Sequence, residues 1–312
     1  MDALAGLLDG PRARGAFVLR SQLDPPWALR VADRAPLTVV VVVRGSAWLV
    51  PDDAGPLPLG PGDAAVLRGP EPYTVADAPG TRPQVVIGED QRCRGVDGGE
   101  APGMSLWDVR TWGNSPEGST VLLTGTYQVG SEVGRGLLRA LPARLTVPAG
   151  ELDGPLVRYL AAEATRDAPG QEAVLDRLVD VLLVAVLRAW FARDGNAPGW
   201  YRAHGDPVVG PALRLLQAEP ARRWTVAELA GEVGVSRAAL ARRFAELVGE
   251  PPMAFLTGWR LGLAADLLRE PGSTLEQVAR RVGYGSGFAL SAAFTRVRGV
   301  SPREHRAGAA AP

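Results

Sequence analysis

The chain has 312 residues, enough for two domains with hydrophobic cores of their own. Its formal net charge is zero, all 34 basic residues are Arg and there is no Lys, so phosphate or base contacts must come from guanidinium forks or neutral groups. One cysteine, Cys93, excludes an intrachain disulfide framework, and the two histidines, His204 and His305, exclude a histidine-built metal site in residues 1–203.

The first residues, MDALAGLLDGPRARG, carry acids and an early Gly-Pro where a secretory signal needs a basic start and an apolar run. The most apolar helical stretch, Leu178 to Leu187, is too short to span a bilayer. A cytoplasmic protein with no membrane partner is expected. Residues 14–130 then read as short strands separated by Gly, Pro and Asp: Ala16–Arg20, Trp27–Ala32, Leu37–Val43, Ala47–Val50, Ala64–Leu67, Tyr73–Ala76, Gln84–Ile87, Ser105–Thr111 and Val121–Val129. Their spacing predicts an antiparallel barrel or sandwich, with LTVVVVV, apolar on both faces, in the middle of a wall.

From Gly136 the period changes. GLLRALP predicts a short helix, LDGPLVRYLAAEATRDAPG a second one ended by Pro169-Gly170, and residues 171–194 a long one. In the long helix Leu175, Leu178, Leu182, Val186 and Trp190 belong to an apolar surface covering well over half the circumference, which must be covered by protein. A second copy of the same helix is the expected cover, making a homodimer; burial against the β domain is the other reading. The stretch from 192 to 206 is rich in Gly, Pro and Asn, and a linker is expected at 196–206. A helix at about Pro207–Ala218 follows.

Two helix-turn-helix patterns come next. In the first, Thr225 and Glu228 suit a capping box, Gly234 a tight turn, and Ser236 caps a second helix bearing Leu240, Phe244 and Leu247. The second runs from Ser273 to Val297 and aligns Ala279 with Ala230, Gly283 with Gly234, Ser286 with Ser236 after one extra residue, Leu290 with Leu240 and Phe294 with Phe244. Such an internal repeat is much stronger than one match. Between them, EPPMAFLTGWRLGLAADLL predicts one continuous helix, about 27 Å long for roughly 18 residues, able to hold the motifs at a fixed distance. Residues 207–312 carry fourteen Arg against nine acidic residues, so a mildly basic domain follows an acidic body.

WTVAELAGEVGVSRAALARRF, EPPMAFLTGWRL, TLEQVARRVGY and the stretch from Phe288 through Phe294 to Gly299-Val300-Ser301-Pro302 resemble the DNA-binding domain of AraC/XylS-type bacterial transcriptional regulators. VVVVVRGSAWLV, LGPGDAAVLRGPEPYTV and TVLLTGTYQVGSEVGRGLLRALP resemble the cupin-like effector domain of one branch of that family. The fold class expected is α+β in two domains. A cupin-like β effector domain (1–135), a helical dimerisation segment (136–195) and a linker (196–206) precede an all-α double helix-turn-helix domain (207–306). The resemblance implies a dimeric, sequence-specific regulator of double-stranded promoter DNA that responds to a ligand or to stress; control by a small-molecule effector is expected, RNA polymerase is a possible further partner, and activation or repression stays open.

By the same resemblance the groove-facing places of the first recognition helix are Ala238, Ala241 and Arg242. Only Arg242 has a long donor, so it is expected to read a guanine edge, with Arg237, Arg243 and Ser236 on phosphates. The second helix offers Ser286, Gly287, Phe288, Ser291 and Arg296 outward; with fewer polar groups it is expected to anchor more than read. In the β domain Trp27, Trp48, Tyr73, Trp107, Trp112 and Tyr127 are candidates for the effector pocket, with Arg30, Arg44, Arg68 and Arg110 as anchors for a polar ligand. Cys93, between Arg92 and Arg94, would have a lowered pKa if exposed and could sense oxidants; an unreactive thiol is the other reading. No cofactor, metal or catalytic residue is expected. A cupin-fold enzyme, or an interaction protein with vestigial motifs, are the competing classes, and salt-dependent, sequence-selective DNA binding separates them from a regulator.

Overall fold

The computed structural model describes residues 17–101, 103–108, 110–127, 138, 141–152, 154–193, 195, 197 and 199–308. The chain divides into two compact units, one holding the described residues from 17 to 195 and the other those from 197 to 308.

The first unit is a β sandwich with two helices. Its strands are β1 (Phe17–Leu23), β2 (Ala28–Val31), β3 (Leu37–Arg44), β4 (Ala47–Pro51), β5 (Leu57–Leu59), β6 (Ala64–Arg68) and β7 (Tyr73–Ala76), then β8 (Val85–Ile87), β9 (Cys93–Gly95), β10 (Ser105–Asp108), β11 (Thr111–Gly113), β12 (Thr120–Tyr127) and β13 (Arg144–Val147). One sheet has the order β10-β11-β1-β12-β3-β6-β13 and the other β5-β4-β7-β2-β8-β9. The pairing is antiparallel except for β1–β11 and β2–β8, which correct the all-antiparallel expectation. Both parallel pairs join strands far apart in the chain, with residues 32–84 between β2 and β8, the long crossover that parallel pairing needs. Of the strands missed from sequence, β5, β9 and β13 are sheet edges, where a short strand with Pro or Arg is tolerated because one side needs no partner; the single strand expected at Ser105–Thr111 is instead two, β10 and β11, with β11 inside the sheet between β10 and β1.

β3 lies between β12 and β6, and Leu37 to Val42 are all buried. Val40 and Val42 enter the core between the sheets with Leu23, Trp27, Leu49 and Leu122. Val39 and Val41 have the opposite parity and face the helical layer. That layer consists of α1 (Gly154–Ala164) and α2 (Gln171–Ala192), which pack on each other and on β1, β3 and β13. Gly125 of β12, paired with Val39, permits this approach: a Cβ there would stand 2.7 Å from Cγ1 of Val179 on α2.

The helical layer bears out the other reading of α2, burial against the β domain. Leu175, Leu182 and Val186 are buried inside the chain, together with Val179, Leu183, Leu187 and Phe191, while Leu178 and Trp190 are half-buried. The outer face of the seven-stranded sheet is the cover this helix required. The helix predicted over Gly136–Pro142 falls mostly outside the described residues, and α1 ends at Ala164, before Pro169-Gly170.

The second unit is all helical: α3 (Gly199–Gly205), α4 (Val209–Ala218), α5 (Val226–Glu232), α6 (Arg237–Val248), α7 (Pro252–Leu267), α8 (Leu275–Arg281), α9 (Gly287–Arg298) and α10 (Pro302–Gly308). Residues 199–205, expected in a linker, thus form a helix that packs on α4 and α6, with Ala203 fully buried. Two separate cores organise the unit. Leu213, Leu229, Leu240 and Phe244 belong to the first, and Val278, Leu290 and Phe294 to the second. α7 is continuous and serves both, placing Leu256 in the first core and Leu261, Ala264 and Ala265 in the second, with Leu268 just past its end also in the second. Among the described residues no helix is long and apolar enough to cross a membrane.

Candidate nucleic-acid interface

The first motif is built from local hydrogen bonds. Thr225 Oγ1 accepts from the Glu228 N–H at 3.2 Å while the Glu228 carboxylate accepts from the Thr225 N–H at 2.9 Å, closing the capping box that starts α5. Gly234 has φ +71°, a left-handed turn natural to glycine, and the Val235 N–H returns to the Ala230 carbonyl at 3.0 Å. Ser236 then caps α6 by accepting from the Ala239 N–H at 3.2 Å. Leu240 and Phe244 are fully buried and Leu247 is half-buried, which leaves Ser236, Arg237, Ala238 and Arg242 exposed and Ala241 at the margin.

The two neighbouring arginines of α6 differ. Arg242 is 78 % exposed, and its guanidinium meets Glu246, at 3.7 Å, in a solvent-screened pair worth about 0–1 kcal/mol that it can leave for another partner. Arg243, expected on a phosphate, is instead engaged by Asp206: Nε and Nη2 donate to Oδ2 at 2.9 and 2.6 Å. The same carboxylate accepts from the N–H groups of Val208 and Val209, both at 2.9 Å, and so caps α4. The Arg243 hydrogen bond, supported by those two N–H groups, holds the Asp206 carboxyl at a pKa of about 2. Arg243 therefore fastens α6 to the corner between α3 and α4.

In the second motif the cap is Thr274, paired with Gln277 in a capping box at 3.2 and 3.0 Å. Gly283 has φ +84°, and a Cβ there would meet the Ala221 backbone at 2.7 Å. Ser286 caps α9 through the Ala289 N–H, and Leu290 and Phe294 are fully buried. The repeat extends into the following helix, which sequence comparison missed. Phe255 of α7 meets Phe244 edge-on with centroids 5.8 Å apart, and His305 of α10 meets Phe294 edge-on at 5.4 Å. Phe and His differ in letter and share a ring, so a search for identical residues passes over them.

Gly287 is corrected from a groove-facing place to a buried one. Its N–H donates to Glu276 Oε2 at 2.7 Å, and a Cβ would press on that oxygen at 3.0 Å and on Leu275 at 3.3 Å. The exposed residues of α9 are Phe288, at 84 %, with Ala289, Ala292, Thr295, Arg296 and Val297; Ser291 is half-buried, and Arg298 lies over the Phe294 ring. Two arginines outside the expected set position the motifs. Arg260 of α7 donates to the carbonyls of Pro220 and Arg222, before α5, and Arg306 of α10 to those of Leu268 and Ser273, before α8.

Between the sheets of the β unit lies a cavity of about 50 Å³, walled by aliphatic side chains with Tyr73, Trp112, Cys93, Asp33 and Gln91 among its lining. Of the six aromatic candidates only Tyr73 and Trp112 reach it. Trp27 is buried core; Trp48 alternates away from inward Ala47 and Leu49; Trp107 is exposed on β10; and Tyr127 is buried near Asp176 and Asp180 of α2. Arg30 is ion-paired with Asp52 at 2.5 Å, and Arg44 donates to the Gly118 carbonyl, so neither stands as an anchor in the cavity. Burial pushes the Cys93 thiol up, and Arg94 turns to Asp90, which removes the expected activation by flanking arginines. Among the described residues no group of His, Cys, Asp or Glu could hold a metal ion.

The Cupin family matches residues 2–192 and the Helix-turn-helix domain family residues 229–308. Two AraC-like transcription regulators, from Streptomyces lividans and Streptomyces antibioticus, are 35% and 34% identical to this chain, covering 98% of it and 98% of their own lengths. The HTH-type transcriptional regulator AlkR of Acinetobacter baylyi is 26% identical, with 98% of this chain and 99% of its own covered.

Proposed function

The chain belongs to the AraC-like transcriptional regulators, with a cupin-family domain ahead of its helix-turn-helix domain, and from that premise we propose that it reads promoter DNA through α6 and α9. It is a DNA-binding regulator rather than an enzyme. The observation that carries the proposal is α7. One helix whose residues sit in both motif cores holds the two recognition helices as one piece, and its sixteen residues span about 24 Å at 1.5 Å each. Such a bridge suits two helices entering successive major grooves on one face of the duplex, about 34–36 Å apart.

Arg242 is the base reader of α6. Ala238 and Ala241 allow the backbone to approach closely, and Ser236 and Arg237 hold phosphates. Arg296 holds backbone at the far end of α9.

The protein acts as a homodimer through the side of α2 that the sandwich leaves open. Val174 and Val181 are exposed there and alternate with half-buried Leu178 and Ala185, at the 4-3-4 spacing of a helix–helix seam; Tyr159 of α1 is exposed as well. The effector is a small, uncharged, largely apolar molecule held in the inter-sheet cavity near Tyr73 and Trp112. RNA polymerase is the further partner that promoter control requires.

Selection of genomic fragments by the purified protein tests the reading. Salt-dependent enrichment of particular promoter fragments is expected. Uniform retention of all fragments would refute it.

A further inference from the structure

The sequence repeat aligns Phe288 with Ala238, Ser291 with Ala241 and Ala292 with Arg242. On a helix, places i, i+3 and i+4 share one face, so Phe288, Ser291 and Ala292 form the stripe of α9 that corresponds to the proposed reading stripe of α6. The chemistry of the two stripes is inverted. In α6 the long side chain is a guanidinium on the second turn and the first turn is small; in α9 the long side chain is a phenyl on the first turn and the second turn is small.

Nothing at the reading end of α9 offers a base a long hydrogen-bonding group. Gly287 is buried with its N–H on Glu276, Ala289 and Ala292 have none, and Ser291 is half-buried. Phe288 is 84 % exposed, the most exposed among the large apolar side chains of the described residues. Within the major groove the unmodified base edge that presents an apolar group is thymine, through its 5-methyl, and recognition helices meet bases through their N-terminal residues.

We infer that Phe288 is the specificity-determining residue of the second motif, and that it selects thymine by contact between its ring and the 5-methyl group. The inference rests on the proposal that α9 enters a major groove. It replaces a tolerant anchor with a second reader of different chemistry: one half of the site is read by a hydrogen-bonding fork and the other by an apolar ring.

The test uses the full-length protein and the duplex that it selects from a random-sequence library. Each thymine of that duplex is replaced in turn by deoxyuridine, which removes the methyl group and keeps base pairing. Wild type is expected to lose about fourfold in affinity for each methyl in contact, at one or two positions in the half under α9. Phe288→Ala should bind more weakly and treat thymine and uracil alike, while Phe288→Leu should keep part of the preference. An unchanged melting temperature, expected because the ring is exposed, confirms that these variants are folded. Equal binding of thymine and uracil duplexes by wild type, or an unaltered preference in Phe288→Ala, would overturn this inference alone. Failure to select any duplex would overturn the DNA-reading proposal and this inference with it.

Discussion

Replacing Asp206 by Ala probes the contact that most changes the description of the helical unit. The carboxylate joins two distant tasks, capping α4 through Val208 and Val209 and holding Arg243 of α6. Loss of the cap costs about 1 kcal/mol. The Arg243 pair adds little to that, because the guanidinium is half-exposed and water screens it. A loss of about 1 kcal/mol lowers the melting temperature of a unit of this size by roughly 4–8 °C. Asp206→Asn keeps acceptors for the two N–H groups and should cost less than Asp206→Ala.

The pH dependence follows from the direction of the shift. The folded carboxyl titrates at about 2 against 3.8 in the free group, so its contribution is complete above pH 3.8 and is lost as pH falls towards 2. Hydrogen exchange at the Val208 and Val209 amides as pH falls from 5 to 2 is the local assay. Wild type should lose protection across that window and Asp206→Asn should not. Arg243→Ala should also be destabilised, with the salt dependence of DNA binding unchanged. A drop of about one in the salt slope, without loss of stability, would refute the assignment and return Arg243 to a phosphate.

Arg242→Ala should lose about 1–3 kcal/mol of discrimination between the selected duplex and a scrambled one, measured by competition binding, with little change in melting temperature. Leu182→Ala should cost about 2–5 kcal/mol of unfolding free energy in urea titration, because Leu182 is 2 % exposed beneath the sheet. Val181→Arg, on the open side of α2, should leave stability nearly unchanged and shift sedimentation from dimer towards monomer. Gly125→Ala should destabilise the β unit by about 1–3 kcal/mol in the same titration, since the new methyl would stand 2.7 Å from Val179.

The helix-turn-helix repeat was legible because each of its signals acts within a few residues. Thr225 with Glu228, Thr274 with Gln277, Ser236 with Ala239 and Ser286 with Ala289 are caps closed inside one turn of chain. Composition also marked β3 as a central strand, since only a strand covered on both faces is apolar at every place. Edge strands such as β5 and β9 escaped for the opposite reason.

What the sequence determined by itself was therefore the order of the units, the capped helices, the repeat and the buried strand, all set by neighbours in the chain. Only the tertiary structure decided that α2 is buried by its own sheet, that residues 199–205 belong to the helical unit, that Arg243 serves Asp206, and that Gly287 faces inward. Each of those outcomes depends on a partner far off in sequence: Val179 for Gly125, Asp206 for Arg243, Glu276 for Gly287. An arginine in a loose surface pair and one clamped by a carboxylate have the same letter, and an apolar stripe does not say which surface will cover it. Burial and pairing are properties of the packed neighbourhood, and that neighbourhood exists only once the chain has folded.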